Sequence, residues 1–319
     1  MLRQYTNYFY CLCGTRPPRR RARTLLILFA VLLTFLATGL PSTTVAESAD
    51  KQYTLGVFPY LPPARIEKLY GPFAASLSEA IKRPALLRSR SSFEEFRRAA
   101  SNGKFDIIFI QPFDYIRLGK NTPYQAIARW QSQLHAIFVT LPSSPIKHLK
   151  ELKGQVIAMP DIDAAVSLLG YLTLHQANLI LGTDVKIVHT ANHFACMKLL
   201  LIGKAAACVT APSPRRLFQD RAKLTLKLIT KSQNIPSPLY AVHSRLPAKH
   251  HQAIFDTVIG WGNTEKGRRL LSSVKFKAYV PTTSKEYEPV RVIWKEVQPL
   301  IQQYQVQQHK GSQNPSSPQ

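Results

Sequence analysis

The stretch that most constrains the fold is Gly154–Tyr171, which reads GQVIAMPDIDAAVSLLGY. Val156–Met159 is a short apolar run with the length of a buried strand, and Pro160 stops it. Asp161 and Asp163 are placed to cap the helix that follows, Asp163 the better of the two. Ala164, Ala165, Leu168, Leu169 and Leu172 then continue at helical spacing. A strand that runs into a helix N-terminus leaves unpaired N–H groups beyond the carboxyl edge of its sheet. In open α/β sheets ligands bind at that edge, and the N–H groups favour an anion.

The same alternation runs through the chain. Strands are expected at Gln52–Phe58, Ala85–Arg88 and Phe105–Ile110, with helices between them at Ile66–Ile81 and Ser92–Ala100. Ser92 with Glu95 forms a capping box for the second helix. Gln111–Pro112–Phe113 leads into a helix to Leu118, and further strands fall at Tyr124–Ala128 and Leu134–Leu141. A second series has strands at Asp184–Val188, Ala205–Thr210 and Leu224–Ile229 around a helix at Asn192–Ile202. The strand Leu239–His243 and helices at Pro247–Trp261, Glu265–Ser272 and Glu286–Val297 complete the body, and Gln302–Gln319 reads as a disordered polar tail.

These patterns predict an α/β protein of two lobes, a clamshell in which each lobe is a mostly parallel sheet flanked by helices. Residues 47–135 begin the first lobe, and 142–234 form the second. Residues 136–141 are one hinge strand; 235–305 hold the other and complete the first lobe, and 306–319 form the tail. Ligand is expected between the lobes.

Residues 1–46 order a basic block (Arg16–Arg23), an uncharged apolar run (Thr24–Leu40) and small residues (Thr44–Ala46). That order predicts a secretory signal peptide, or a signal anchor if uncleaved, and an exported body. The net charge is +24, and it is still +18 without the six arginines before residue 47. Such a field attracts anions or acidic surfaces; its scatter, away from aromatic residues, argues against nucleic-acid binding. Of four cysteines, Cys196 and Cys208 fall in the body, one on a helix and one on the next strand. That spacing favours two separate buried thiols over a disulfide, though export leaves pairing open. No Cys/His spacing suggests a metal, no cofactor is implied, and no nucleophile–base–acid set marks an enzyme.

The run FDIIFIQPF at 105–113, Ser144–Pro145–Ile146, Leu152–Lys153–Gly154, Pro160–Asp161, Asn192–His193, Gly203 and Ile235–Pro236–Ser237–Pro238 carry a resemblance. In order and spacing the chain resembles the phosphate-, phosphite- and phosphonate-binding periplasmic components of ABC transporters, of the second type of periplasmic binding fold. The resemblance spans about residues 52–290. It implies a non-enzymatic periplasmic receptor that delivers a phosphorus oxyanion to a permease. A ligand sensor feeding a membrane kinase is the alternative.

The family's usual Ser-Thr-Ser-Gly run at the helix start reads Ala164–Ala165–Val166–Ser167 here, and its usual glycine after the strand is Gln111. The resemblance places Ala164, Ala165, Val166 and Ser167 against the ligand, with Asn192 and His193 from the next turn. The residues themselves add Tyr60, Gln111 and His135 as polar contacts. With three hydroxyls gone the pocket is expected to be more apolar.

Overall fold

The computed structural model describes residues 52–312. The expected signal segment, residues 1–46, and the last seven residues of the expected tail lie outside the described residues.

In chain order the first elements are β1 (Tyr53–Val57), α1 (Pro63–Ile81), β2 (Ala85–Arg88), α2 (Phe93–Ser101), β3 (Ile107–Ile110), α3 (Pro112–Arg117) and β4 (Tyr124–Trp130). There follow β5 (Ile137–Thr140), β6 (Val156–Met159), α4 (Ala165–Gln176), β7 (Lys186–His189), α5 (His193–Leu201), β8 (Ala207–Thr210), α6 (Pro212–Ala222) and β9 (Lys227–Lys231). The chain ends with β10 (Leu239–His243), α7 (Ala248–Gly260), α8 (Glu265–Ser273), β11 (Tyr279–Pro281) and α9 (Glu288–Ser312).

The strands form two sheets, in the orders β11-β4-β10-β3-β1-β2 and β7-β6-β8-β5-β9. Strands β1 to β3 pair in parallel, as do β6, β7 and β8. One strand that has just crossed from the other lobe inserts antiparallel into the middle of each sheet: β5 between β8 and β9, β10 between β3 and β4. The two strands expected at the hinge therefore each pair on both sides within a sheet. Residues 137–140 and 239–243 are interior sheet strands, whose backbone groups need partners on both sides. The crossings are the segments before them, which meet where Leu134 and Ile235 exchange N–H···O bonds of 2.9 and 2.8 Å.

Three expectations are corrected. Helix α6 and strand β11 carry no strong apolar period and escaped the pattern reading. The tail is helical through Ser312, because Ile301 and Tyr304 bury against the second lobe; Tyr304 hydrogen-bonds the Ile187 carbonyl at 3.2 Å. Cys196 and Cys208 form a disulfide, with Cα atoms 5.8 Å apart. Helix α5 lies directly over β8, and the residue beside Cys208 in β6 is the small Ala158, so the layers approach within bridging distance.

Candidate functional site

A pocket opens between the sheets, where the ends of β1 and β3 face the start of α4 and the turn before α5. It leaves about 40 Å³ open to the centre of a water-sized sphere. One water needs roughly 10–15 Å³ by that measure, so the space suits a ligand of a few heavy atoms.

Six of the nine residues expected at a ligand line it: Tyr60, Gln111, Ala164, Ala165, Val166 and His193. The other three stand outside. His135 is half-buried at the crossing, where burial and Lys231 hold its ring below the ordinary pKa. Ser167 is fully buried and turned to the Pro160 carbonyl at 3.4 Å. Asn192 caps α5, its Oδ1 accepting from the Phe194 and Ala195 N–H groups at 3.1 Å each.

What the sequence reading missed is the wall. Phe58, Phe93, Phe109, Trp130 and Phe276 line the pocket with Leu134, Ala211, Ser213, Pro214 and Pro238, and no Lys, Arg, Asp or Glu side chain does. Phe58 stacks on Tyr60 with centroids 5.0 Å apart, and Trp130 stacks on Phe276 at 4.0 Å. Phe58 and Phe109 sit at strand ends that point at the cleft, which the sequence does signal. Phe276 comes from a loop far along the chain and carries no such signal.

The helix start is built differently from expectation. Neither aspartate caps α4: the N-cap is Ala164, with no side-chain bond. Asp161 instead accepts the Asp163 N–H at 2.9 Å. Asp163 turns away to the first lobe, where Arg117 donates to it at 2.7 Å and Arg97 at 2.9 Å. Gln111 also reaches across from the first lobe. Its Oε1 accepts the Ala165 N–H at 2.6 Å, while its Nε2 donates to the Asp163 carbonyl at 2.8 Å and to Asp114 at 2.7 Å. The Ser167 N–H goes to the Ala164 carbonyl at 2.8 Å. The Val166 N–H, between them, has no acceptor among the described residues.

Asp114 anchors Gln111. It is fully buried, 3.0 Å from Arg97, and burial drives its carboxyl up to about 6 against the pull of Arg97, Gln111 and Arg117. For Asp163 burial acts in the same upward sense, but Arg117 and Arg97 prevail and hold the carboxyl below its usual value.

His193 opens α5. Its Nδ1 lies 2.8 Å from the Thr210 hydroxyl, and its ring meets Tyr60 edge-on at 6.3 Å. Burial pushes the imidazole from 6.5 down to about 3, so the ring is neutral. The unfolded chain takes up that proton near pH 6.5, and the folded chain only near 3. Wild type is thus expected to lose stability relative to His193→Asn as pH falls through this window, by up to about 1.4 kcal/mol per pH unit. Urea denaturation of both proteins at several pH values checks this; parallel profiles would refute a buried neutral histidine.

The match to known families decides what this cleft belongs to. Residues 55–287 match the family described as "ABC transporter, phosphonate, periplasmic substrate-binding protein". The chain belongs to that family. Members of this family of phosphonate-binding proteins are transport receptors, not enzymes. The two-lobed fold agrees. A binding protein component of an ABC phosphonate transporter from Pseudomonas aeruginosa superimposes with a TM-score of 0.68 at 11% identity, over 82% of this chain and 98% of that one. PhnD1 of Prochlorococcus marinus, in complex with methylphosphonate, gives 0.68 at 14% identity, over 78% and 98%. A Xanthomonas citri protein bound to ATP gives 0.61 at 12% identity, over 78% and 98%. No curated protein sequence matches the chain. Among the described residues no helix is long and apolar enough to cross a membrane.

Proposed function

We propose that this phosphonate-family receptor delivers to its permease a small phosphorus oxyanion carrying a single charge, with its apolar substituent against the aromatic wall. An alkylphosphonate with one proton retained is the type. The observation that carries this reading is the composition of the pocket: aromatic and small apolar residues over most of its wall, a few polar groups, and no cationic side chain. The donors are the Val166 N–H and the Nε2 of His193, which carries the ring proton in the tautomer whose Nδ1 accepts from the Thr210 hydroxyl. Gln111 already supplies an oxygen to the start of α4, so one of the helix's anion-binding N–H groups is spent. A dianion in this site would meet too few donors, at a cost of ~1–3 kcal/mol for each unmet oxygen.

Calorimetry of the purified protein with methylphosphonate, phosphite, phosphate, 2-aminoethylphosphonate and sulfate tests it. Methylphosphonate is expected to bind, sulfate not to bind, and His193→Ala to abolish the signal. Gln111→Gly returns the Ala165 N–H to the ligand, and is expected to strengthen phosphate binding about tenfold. The same change removes a donor from buried Asp114 and is expected to cost ~1–3 kcal/mol of stability. If no oxyanion binds to either form, the ligand reading fails. The apolar wall then favours the second reading, a partner-binding or sensor protein of the same fold, coupled to a membrane kinase.

A further inference from the structure

A second concavity lies on the outer surface beside the start of α5, apart from the ligand pocket. It offers about 460 Å³ open to the centre of a water-sized sphere. Its base is apolar: Phe194 and Phe218 are each 4% exposed and meet edge to face at 5.4 Å. Leu201 stands at its rim, 45% exposed, next to Ile202 at 64%. Exposed apolar side chains grouped at a concavity mark an interaction site more often than scattered ones do.

Charge selects the occupant. Arg65, Lys198 and Arg221 line the groove and no carboxylate does. None of the three cations has an ion pair among the described residues. Arg65 lies over the Phe194 ring at 5.0 Å, while Asp220, the acid next to Arg221, is committed to Lys275 at 2.6 Å. The groove also spans both lobes, since Arg65 comes from α1 of the first and the two phenylalanines from α5 and α6 of the second. Its shape therefore depends on how the lobes are set, whatever the ligand is. A flat anionic membrane would meet the cations but leave the hollow unfilled. We infer that this groove docks an acidic polypeptide segment that inserts one bulky apolar side chain between Phe194, Phe218 and Leu201, with its carboxylates on Arg65, Lys198 and Arg221.

A random peptide library displayed on phage, selected on the purified protein, tests the inference. Enriched peptides are expected to be acidic and to share a phenylalanine, tryptophan or leucine, and their binding is expected to weaken with salt. Two surface variants report the seat: Leu201→Asp, and Lys198→Glu combined with Arg221→Glu. Each is expected to keep the wild-type melting temperature and to lose peptide affinity at least about tenfold. The inference is overturned if nothing is enriched, or if enriched peptides bind both variants as well as wild type. It is also overturned if vesicles of phosphatidylglycerol bind the protein and the charge-reversed variant releases them, while no peptide is selected.

Discussion

Replacing Asp163 by alanine is expected to lower the melting temperature by roughly 5–10 °C and to enlarge the molecule's radius of gyration in solution. The reason is where this carboxylate stands. It precedes α4 in the second lobe, yet its two strong partners, Arg97 at 2.9 Å and Arg117 at 2.7 Å, belong to α2 and α3 of the first. The arginines are 16% and 21% exposed and Asp163 19%, so water screens the cluster only in part. Removing one member of a buried ion pair costs ~3–5 kcal/mol, because its partners are left desolvated and unpaired. Partial exposure reduces this to about 2–4 kcal/mol here.

The cluster also reaches the pocket at the start of α4. Arg97 binds Asp163 and the buried Asp114 together, Asp114 holds Gln111, and Gln111 holds the first N–H of α4. Losing Asp163 thus loosens both the lobe contact and the carboxamide at the helix start. Arg117→Ala added to Asp163→Ala is expected to recover part of the loss, since it removes a cation that no longer has its near partner. Scattering and thermal melts on the single and double variants measure this. A single variant that melts within a degree or two of wild type, with an unchanged radius, would show that the lobes are held by other contacts.

The fold was legible because its strands are short apolar runs bounded by Pro and Gly. Residues 105–118 and 154–176 show strand, turn and helix to the eye. Helix starts and strand ends are readable in the sequence, which is why Tyr60, Gln111, Ala164–Val166 and His193 were expected at the cleft, and these residues line the pocket. Two things were not readable from local pattern. An aspartate before a helix looks the same whether it caps its own backbone or reaches an arginine 46 residues away, as Asp163 does with Arg117. Helix propensity sees glutamine-rich residues 302–312 as polar, and only the second lobe's surface under Tyr304 explains why they are ordered. The disulfide escaped for a related reason: the distance between a helix and the strand beneath it depends on which small residues lie between them.

Removing that disulfide is the other large change expected. The Cys196→Ala/Cys208→Ala protein frees a loop with a sequence separation of 12 residues. By chain entropy a cross-link over a loop of this size contributes ~3 kcal/mol, and native bridges fall within roughly 2–5. The expected fall in melting temperature is about 6–10 °C. The bridge does more than join two layers. His193 sits one turn before Cys196 on α5, and Thr210 two residues after Cys208 on β8. The 2.8 Å contact between His193 Nδ1 and the Thr210 hydroxyl therefore closes a second link beside the first. With the bridge gone, α5 can shift on β8, and the His193 ring that lines the pocket loses its fixed position. Ligand affinity is expected to fall along with stability. Scanning calorimetry with and without reductant separates the causes: reductant should lower the melting temperature of wild type and leave the double variant unmoved. Equal melting temperatures for wild type and variant under oxidising conditions would mean that the apolar packing of α5 on the sheet, and not the bridge, holds His193 in place.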